Sequence, residues 1–527
     1  MPEHTPTSLQ PGPSYDQSPP TVQEALLRNP GNPLAQLPLE LVYTIFSMLP
    51  LPDRIRVALV CKLWRLVALD YAPLWADIQD VGPFAVHNLL ARSQRAPVTL
   101  VMTSLHRDDL ACISLSLADH MDHVAHVELR LAPGSNCTSE TVRPLWTALR
   151  CPAPVLQVLR LEHSGERIQI EPPNLFDDCA PRLRVMQLTG FDLSAPCAVL
   201  ESVTAFSGAA SWDATPHADE AVMRPMAFAS RCRDFFPGLS QLQLTGLPDY
   251  AVLKVDKFPK GLVALELSFH AWLDRTGDAK HLFNLLSAAN FASMQTLVLE
   301  SPPNGLVPRL IAADESIEWM LLEGIMYRPE GEVSQAYPDG ACLKVLTTSM
   351  RSRSFRCCTN GSLDDILLNP LVFANLVDVV VGPHALYEAF SGSTVATMLM
   401  QATNLETLTI VLDYWPGFQP LGAPGWGGQV LSLRNLREVR ISAPPNLATY
   451  PLQMEPYIVL YFFENVLRMG RRRLDTLALF GISFNLDNEI RAFQRQRLEA
   501  TVAEHVVYYE LDVMTMLGRG LPIDRNI

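Results

Sequence analysis

The spacing of apolar positions changes abruptly at residue 37, where the pattern of a short helical unit begins. Apolar residues recur at helical intervals over residues 38–49 and form one continuous apolar face. The same spacing predicts a second short helix over 53–59, with Asp53 as its N-cap, and a third over about 61–70. Three helices of this length cannot bury all of their own apolar faces, because so small a unit has too little interior. We therefore expect part of this apolar surface to contact something else.

A different apolar pattern repeats through residues 83–484. Strand-like segments carry apolar residues at their first, fourth and sixth positions, and such a triplet recurs every twenty to forty residues. The triplet alone is common by chance in so apolar a chain, so its spacing and the flanking turns carry the evidence. One interval is about twice as long, and Leu200 with Val203 marks the candidate for a missing strand. The triplets are Val124/Val127/Leu129, Leu156/Leu159/Leu161, Leu183/Met186/Leu188, Leu239/Leu242/Leu244, Leu262/Leu265/Leu267, Met294/Leu297/Leu299, Ile317/Met320/Leu322, Leu376/Val379/Val381, Leu405/Leu408/Ile410, Leu436/Val439/Ile441 and Leu474/Leu477/Leu479, and Leu343/Leu346 is a weaker one.

A strand followed by a helix at these intervals predicts an α/β fold and resembles a leucine-rich-repeat solenoid. The resemblance implies a curved parallel sheet on the inside and helices on the outside. The Asn or Cys that usually follows the strand in such repeats is mostly absent, so we expect irregular repeats. A conventional α/β domain is the alternative, and it fits less well because no glycine-rich turn begins a nucleotide site.

The composition of the chain indicates which classes of partner it can bind and in which cellular compartment it works. The 527 residues are 48% hydrophobic and 18% charged, with a net charge of −14, so most of the chain must fold around apolar surface. A surface of this sign repels phosphate backbones and anionic lipids, which disfavours nucleic-acid and membrane partners. The ten cysteines form no C-x-x-C pair, which favours reduced thiols. With no signal-peptide or membrane-span pattern, we expect a cytoplasmic or nuclear protein.

Candidate chemistry is sparse. His120, His123 and His126 have a spacing at which two imidazoles on one helix could ligate zinc. The triplet that begins at Val124 reads as a strand, which would separate the third imidazole from the first two. We therefore favour a helix end followed by a polar strand face over a metal site, and expect no cofactor. No nucleophile elbow, zincin motif or phosphate-binding loop occurs, so the sequence predicts that the chain is not an enzyme.

Aromatic residues on long loops are the candidates for contact with a substrate protein. Trp and Tyr dominate the energetics of protein interfaces, so aromatic side chains displayed on loops are plausible anchors. The alternative is that they fold back and cover the apolar edge of the repeats. The candidate substrate-binding residues are Trp212, Trp415, Phe418 and Trp426.

The run at residues 37–78 resembles an F-box. The resemblance depends on an ordered set of positions and above all on Val-Cys-Lys-x-Trp-Arg at residues 60–65. It departs from the pattern of many members at Arg54, where Leu is common, so that Ile55 must supply the apolar contact. The matching residues are Leu37, Pro38, Glu40, Leu41, Ile45, Phe46, Leu49, Pro52, Asp53, Val60, Cys61, Lys62, Trp64, Arg65, Leu74 and Trp75.

An F-box implies a substrate-recognition subunit of a Skp–cullin–F-box ubiquitin ligase. The helical unit would bind the Skp adaptor and through it a cullin-RING ligase, and the repeats would bind an unknown protein substrate. The alternatives are an F-box scaffold acting outside ubiquitination and a metal-dependent enzyme that uses the histidine cluster. The adaptor contacts that the resemblance implies are Leu37, Pro38, Leu41, Ile45, Phe46, Leu59, Val60, Cys61 and Trp64, although some of them must hold the helices together.

The sequence thus predicts four segments. They are a disordered tail rich in proline at 1–33, an F-box at 34–80, a leucine-rich-repeat-like solenoid at 83–484, and a C-terminal helical cap or tail at 485–527.

Overall fold

The structure is a computed structural model. The residues that it describes are 37–132, 138–164, 168–170, 175–209, 232–247, 259, 261–269, 279–303, 305–314, 316–327, 337–358, 367, 372–382, 385, 392–412, 421, 426, 428–444, 451–470, 473–486 and 488–510. The predicted tail at 1–33 and the candidate residues Trp212, Trp415 and Phe418 lie outside this set. The chain divides into two compact units, Met1–Leu161 with Asn174–Leu183, and Glu162–Pro173 with Arg184–Ile527.

In the described part of the first unit, the three predicted helices are followed by alternating helices and strands. Strands β1, β2 and β3 run parallel, and Ile78, Leu100 and Val127 meet in register with their side chains fully buried. The helices are α1 (Leu39–Ser47), α2 (Leu51–Val60), α3 (Lys62–Asp70), α4 (Pro83–Ser93), α5 (Arg107–His120) and α6 (Arg143–Ala148). The strands are β1 (Asp77–Gln79), β2 (Val98–Leu105), β3 (Val124–Leu131) and β4 (Val158–Glu162), the last ending at the boundary between the units.

The second unit contains most of the strands. Its helices are α7 (Cys232–Phe235), α8 (Ala279–Ala288), α9 (Leu306–Ala313), α10 (Gly392–Gln401), α11 (Pro456–Tyr461) and α12 (Glu489–Thr501). Its strands are β5 (Ile168–Ile170), β6 (Val185–Thr189), β7 (Phe191–Leu193), β8 (Ala205–Ala209), β9 (Gln241–Leu247), β10 (Ala264–Phe269), β11 (Thr296–Glu300), β12 (Ile317–Tyr327), β13 (Tyr337–Thr347), β14 (Ser352–Cys358), β15 (Asp378–Val381), β16 (Thr407–Val411), β17 (Leu431–Leu433), β18 (Glu438–Ser442), β19 (Leu452–Met454), β20 (Leu467–Met469), β21 (Leu474–Phe480), β22 (Ile482–Phe484) and β23 (Ala503–Tyr509).

A large, mostly parallel sheet runs through this unit. Its strands pair in the order β6-β8-β9-β10-β11-β14-β13-β12-β15-β16-β18-β21-β23. The exception to the predicted parallel sheet is β13, which is antiparallel to both β12 and β14. A tight turn in which the Thr347 N–H donates to the Arg351 carbonyl joins β13 to β14. Strands joined so directly must run antiparallel, because a parallel pair needs a long crossover.

The predicted triplets set the register of the sheet. Leu408, Val439 and Leu477 stand directly opposite one another on β16, β18 and β21, and all three side chains are fully buried. The missing strand in the long interval is β8, which begins after the predicted pair Leu200 and Val203. The apolar triplet of β8 is incomplete in the sequence, because its sixth position is a glycine. This residue, Gly208, pairs with Leu188 of β6.

An asparagine precedes three consecutive triplets and links their turns. The side-chain amide of Asn404 donates to the Ala374 carbonyl at 2.7 Å, and that of Asn435 donates to the Thr403 carbonyl at 2.6 Å. Each accepting carbonyl lies immediately before the equivalent asparagine of the preceding repeat, since Asn375 follows Ala374. The asparagine ladder therefore lies before the strand rather than after it, where the leucine-rich-repeat pattern has its Asn or Cys.

The sheet continues beyond residue 484. After helix α12, strand β23 pairs in parallel with β21, and Val506 stands opposite Leu477. Residues 485–510 therefore contribute a helix and a strand to the second unit. None of the helices in the described part combines the length and the apolar character that crossing a lipid bilayer demands.

Candidate functional site

Helix α1 carries two different apolar faces. Val42 and Phe46 lie one turn apart on its inner face and are 4% and 3% exposed. Leu41, Ile45 and Met48 lie at the same helical spacing on its outer face and are 50%, 46% and 78% exposed. The single apolar stripe that the sequence indicates is therefore divided between a core and a surface.

The end of helix α2 adds further exposed apolar side chains. Leu59 and Val60 are 66% and 62% exposed, and Cys61, which follows them, is also exposed. We call Leu41, Ile45, Met48, Leu59 and Val60 the apolar ridge. Isolated exposed apolar residues are ordinary on protein surfaces, but several within one small helical unit mark a surface for association.

The inner face of α1 packs on helix α3. The ring centroids of Phe46 and Trp64 lie 5.6 Å apart. Leu63 and Val67, on the same helix as Trp64, are also buried. The sequence left Phe46 and Trp64 open between adaptor contact and internal core, and the structure buries the Phe46 ring inside the helical unit. Trp64 is half-buried, so it supports the core with one part of its ring and keeps the rest accessible.

Arg54 holds the three-helix unit together at the position where the sequence departs from the F-box pattern. Its guanidinium donates to the carbonyls of Leu49, Ser47 and Leu74 at 2.6, 2.9 and 2.9 Å. Ser47 is the last residue of α1, where backbone acceptors lose their helical partners, and Leu49 follows it by two residues. Ile55, the next residue, is 37% exposed, so an apolar side chain stays on the surface at this point.

A side chain caps the beginning of α3, whereas no side chain caps the beginning of α2. Helix α2 begins after Pro50, so Asp53 lies within its first turn instead of capping it, and it pairs with Arg56 at 2.7 Å. The Cys61 thiol accepts from the Trp64 N–H at 3.4 Å and caps the beginning of α3. Arg65 donates to the Ala58 carbonyl at 3.1 Å near the end of α2.

Aromatic residues close the unit. The indole N–H of Trp75 donates to the Ala68 carbonyl at 2.7 Å, and its ring is fully buried. On the other side, Tyr43 stacks on Tyr71 with centroids 4.3 Å apart and donates to the Asp70 carboxylate at 2.7 Å. Burial, and then this hydrogen bond to a carboxylate, raise the pKa of Tyr43 to about 12.

The candidate substrate anchor Trp426 is a core residue. Its side chain is fully buried, and its ring centroid lies 6.5 Å from that of Phe462. Of the two interpretations that the sequence left open for the loop aromatics, the structure supports folding back for this residue. Trp426 therefore does not offer a free surface to a substrate.

The histidine cluster is divided as the strand pattern predicted. His120 ends helix α5 and His123 follows in a short turn, with ring centroids 5.3 Å apart, whereas His126 lies within β3. A ring nitrogen of His123 lies 3.2 Å from the Ser93 hydroxyl oxygen, and that of His126 lies 3.7 Å from the Glu128 carboxylate. Burial lowers the pKa of both His120 and His126. Within the described residues, no three His, Cys, Asp or Glu side chains converge as a metal ion would require.

Two features of this surface were not predicted from the sequence. Met48 lies seven residues after Leu41, so the helical spacing itself could have placed it on the outer face of α1. The role of Arg54 had no comparable signal, because its acceptors are backbone carbonyls that approach only after the helices pack.

Comparison with known proteins identifies a family match in the three-helix unit. A search against curated proteins gives no match for the chain. Among protein-family models, the one described as F-box-like matches residues 34–79. This range contains all three helices and the whole apolar ridge. The chain thus carries an F-box-like domain at residues 34–79, which supports an F-box protein.

Proposed function

We propose that this chain is the substrate-recognition adaptor of a Skp–cullin–F-box ubiquitin ligase. The F-box-like domain binds the Skp adaptor, and the repeat region binds a protein substrate. The chain performs no chemistry in this proposal and works in the cytoplasm or nucleus. It raises the effective concentration of the substrate near a ubiquitin-conjugating enzyme.

The apolar ridge is the observation that carries this proposal. Its five side chains lie within the residues that match the F-box-like model, and each is close to half exposed or more. F-box domains generally bind Skp-type adaptors, and a stable interface of this kind buries on the order of 1,600 Å² in total. The inner face of α1 is occupied by Phe46 and Val42, so the outer face is free to meet a second chain.

A leucine-rich-repeat-like solenoid is the finer part of the proposal for the second unit. The parallel strands, the buried triplets and the asparagine ladder repeat along consecutive units, as stacked repeats require. A broad repeat surface suits a protein partner better than a small molecule. The antiparallel insertion at β13 interrupts the regular stacking.

The test uses the full chain and a purified Skp-type adaptor. Replacing Leu41 and Ile45 together by Asp places two charges on the outer face of α1, and we expect binding to be abolished. Leu115→Asp is the matched control, because Leu115 is 69% exposed on helix α5, outside the F-box-like region. Circular dichroism must show both variants folded. Unaltered adaptor binding by the double variant would falsify the docking assignment.

The cullin separates ligase function from scaffolding. Affinity purification of the full chain should recover both the adaptor and a cullin, and proteasome inhibition should enrich the substrate. Recovery of the adaptor without any cullin would instead favour the F-box scaffold acting outside ubiquitination. Comparison with residues 80–527 alone identifies the proteins whose capture depends on the F-box-like domain.

A further inference from the structure

A groove runs across the three turns that lead into strands β15, β16 and β18. Its volume is about 310 Å³, which lies at the lower end of the range for ligand-binding pockets. Each turn contributes an asparagine of the asparagine ladder and the residue two positions after it. We call this feature the entrance groove, and its lining residues are Asn375, Val377, Asn404, Glu406, Asn435 and Arg437.

The asparagine amides of the entrance groove keep hydrogen-bonding atoms for another molecule. In Asn404 and Asn435 one side-chain N–H donates to a backbone carbonyl, which fixes the amide and leaves its oxygen and its second N–H. The side chain of Asn375 has no hydrogen-bond partner within the described residues. All three side chains are exposed. A group that offers one donor and one acceptor together is complementary to a peptide bond, which carries the same two groups.

Glu406 and Arg437 place opposite charges side by side in the groove. The Arg437 N–H donates to the Glu406 carbonyl at 2.8 Å, so the two residues are direct neighbours. Both side chains are exposed, and neither forms an ion pair or a hydrogen bond in the part of the chain that the structure describes. Close by, Arg440 does pair with Glu438 at 2.8 Å. The carboxylate and the guanidinium of the groove are therefore both available to a ligand.

The second position of each turn has a different chemical character. Across the groove it is apolar at Val377, acidic at Glu406 and basic at Arg437. Strands β15, β16 and β18 pair in register, so the first and the last of these positions lie two strand spacings, or about 9.6 Å, apart. Three residues of extended chain span about 10 Å. A short extended peptide therefore has the length to contact all three positions.

We propose that the entrance groove binds an extended peptide with an apolar side chain opposite Val377, a basic one opposite Glu406 and an acidic one opposite Arg437. The peptide bonds of this ligand pair with the asparagine amides. The inference rests on the proposed function only in assigning the peptide to the substrate, because the groove itself needs neither the adaptor nor the F-box-like domain. A neutral oligosaccharide could also bind the amides, but it would leave both charges unpaired.

Selection from a displayed library of random heptapeptides on the full chain tests the proposal. We expect enrichment of peptides with an apolar, a basic and an acidic residue in this order, or in its reverse, within four consecutive positions. The double variant Glu406→Lys with Arg437→Glu keeps the net charge and exchanges the two charges. The basic and acidic residues of the enriched peptides should therefore exchange places as well.

A matched control reverses the same two charges outside the groove. Arg468 on β20 and Glu504 on β23 are exposed, so Arg468→Glu with Glu504→Lys should leave the enriched sequences unchanged. Circular dichroism must show both double variants folded. Identical enriched sequences from the unchanged chain and the groove variant would overturn the proposal, and so would the absence of any enrichment.

Fluorescence anisotropy of an enriched peptide then measures the single contacts. Arg437→Ala should weaken binding at least tenfold, because it removes a charge-assisted hydrogen bond. Asn375→Ala should weaken it at least threefold, and it breaks no bond within the described residues. Unchanged affinity in both variants, or competition by a neutral oligosaccharide such as maltoheptaose, would overturn the assignment. Adaptor binding by the same preparation separates the two proposals, since a chain that binds the adaptor but enriches no peptide keeps the docking assignment and loses this one.

Discussion

Adjacent apolar residues of helix α1 should respond differently to the same change. Replacing Leu41 and Ile45 together by Ala should weaken adaptor binding and leave the stability of the chain nearly unchanged. Replacing Phe46 by Ala should lower the free energy of unfolding of the helical unit. The reason is that the outer pair is about half exposed in the free chain, whereas Phe46 is 3% exposed and packs on Trp64.

The magnitudes follow from these exposures. Full burial of a large apolar side chain stabilises by roughly 1.5–3 kcal/mol, so burying the exposed half of Leu41 and of Ile45 contributes about 1 kcal/mol each. The double Ala variant should therefore lose about 2 kcal/mol of binding free energy, which raises the Kd about thirtyfold. Truncation of a buried Phe costs about 3–5 kcal/mol, so Phe46→Ala should unfold a marginal unit outright.

The assay is calorimetric titration of the adaptor into the full chain, with urea denaturation of each variant as the measure of stability. Leu115→Ala is the control for removing an exposed leucine on a helix outside the F-box-like region, and it should change neither quantity. Adaptor binding by the double variant within twofold of the unchanged chain would exclude Leu41 and Ile45 from the interface. A loss of stability in the double variant as large as that of Phe46→Ala would place the pair in the core.

Three further predictions concern stability, pH and protection. The side chain of Arg353 is 2% exposed and pairs with the buried side chain of Asp314 at 2.5 Å. Arg353→Met leaves that carboxylate without its partner, so it should lower the free energy of unfolding by about 3–5 kcal/mol in urea denaturation. Adding Asp314→Leu removes the unpaired charge and should restore much of this stability. Burial and the hydrogen bond to Asp70 raise the pKa of Tyr43 from 10.0 to about 12, so its contribution to stability is complete below pH 10 and is lost as the pH rises through 12. Near-ultraviolet circular dichroism should show this loss, and Tyr43→Phe should remove it. Maleimide labelling of the exposed Cys61 thiol should slow at least tenfold when the adaptor binds, and an unchanged rate would exclude Cys61 from the interface.

The helices of the F-box-like domain were predictable because their signals are local. Helical spacing gives α1, and the third predicted helix agrees with α3 to within one residue at its beginning. The N-cap of α2 was wrong by three positions, because prolines at 50 and 52 start the helix before Asp53. The division of α1 into a core face and a surface face could not be predicted, since it depends on where Trp64 packs.

The parallel strands of the sheet could be predicted from the triplets, whereas the antiparallel β13 and the asparagine ladder could not. The parallel pairing of β15, β16, β18 and β21 follows from regular spacing, because each interval leaves room for a crossover. The antiparallel β13 breaks this rule through short connections that look like any other turn in the sequence. The asparagines at 375, 404 and 435 were visible one residue before each triplet, but a repeat pattern that expects them after the strand hides them.

Arg54, where the sequence departs from the F-box pattern, helps to hold the apolar ridge in position as a binding surface. An Arg in place of the usual Leu suggests the loss of an apolar contact on the surface of the domain. The side chain turns instead toward the carbonyls of Leu49 and Leu74 and fixes the end of α1 against the turn that closes the unit. Three hydrogen bonds from one rigid guanidinium orient α1 more strictly than an apolar contact does, because their geometry is directional. The outer face of α1, with Leu41 and Ile45, is therefore held in position before any partner arrives, which reduces the entropy lost on binding.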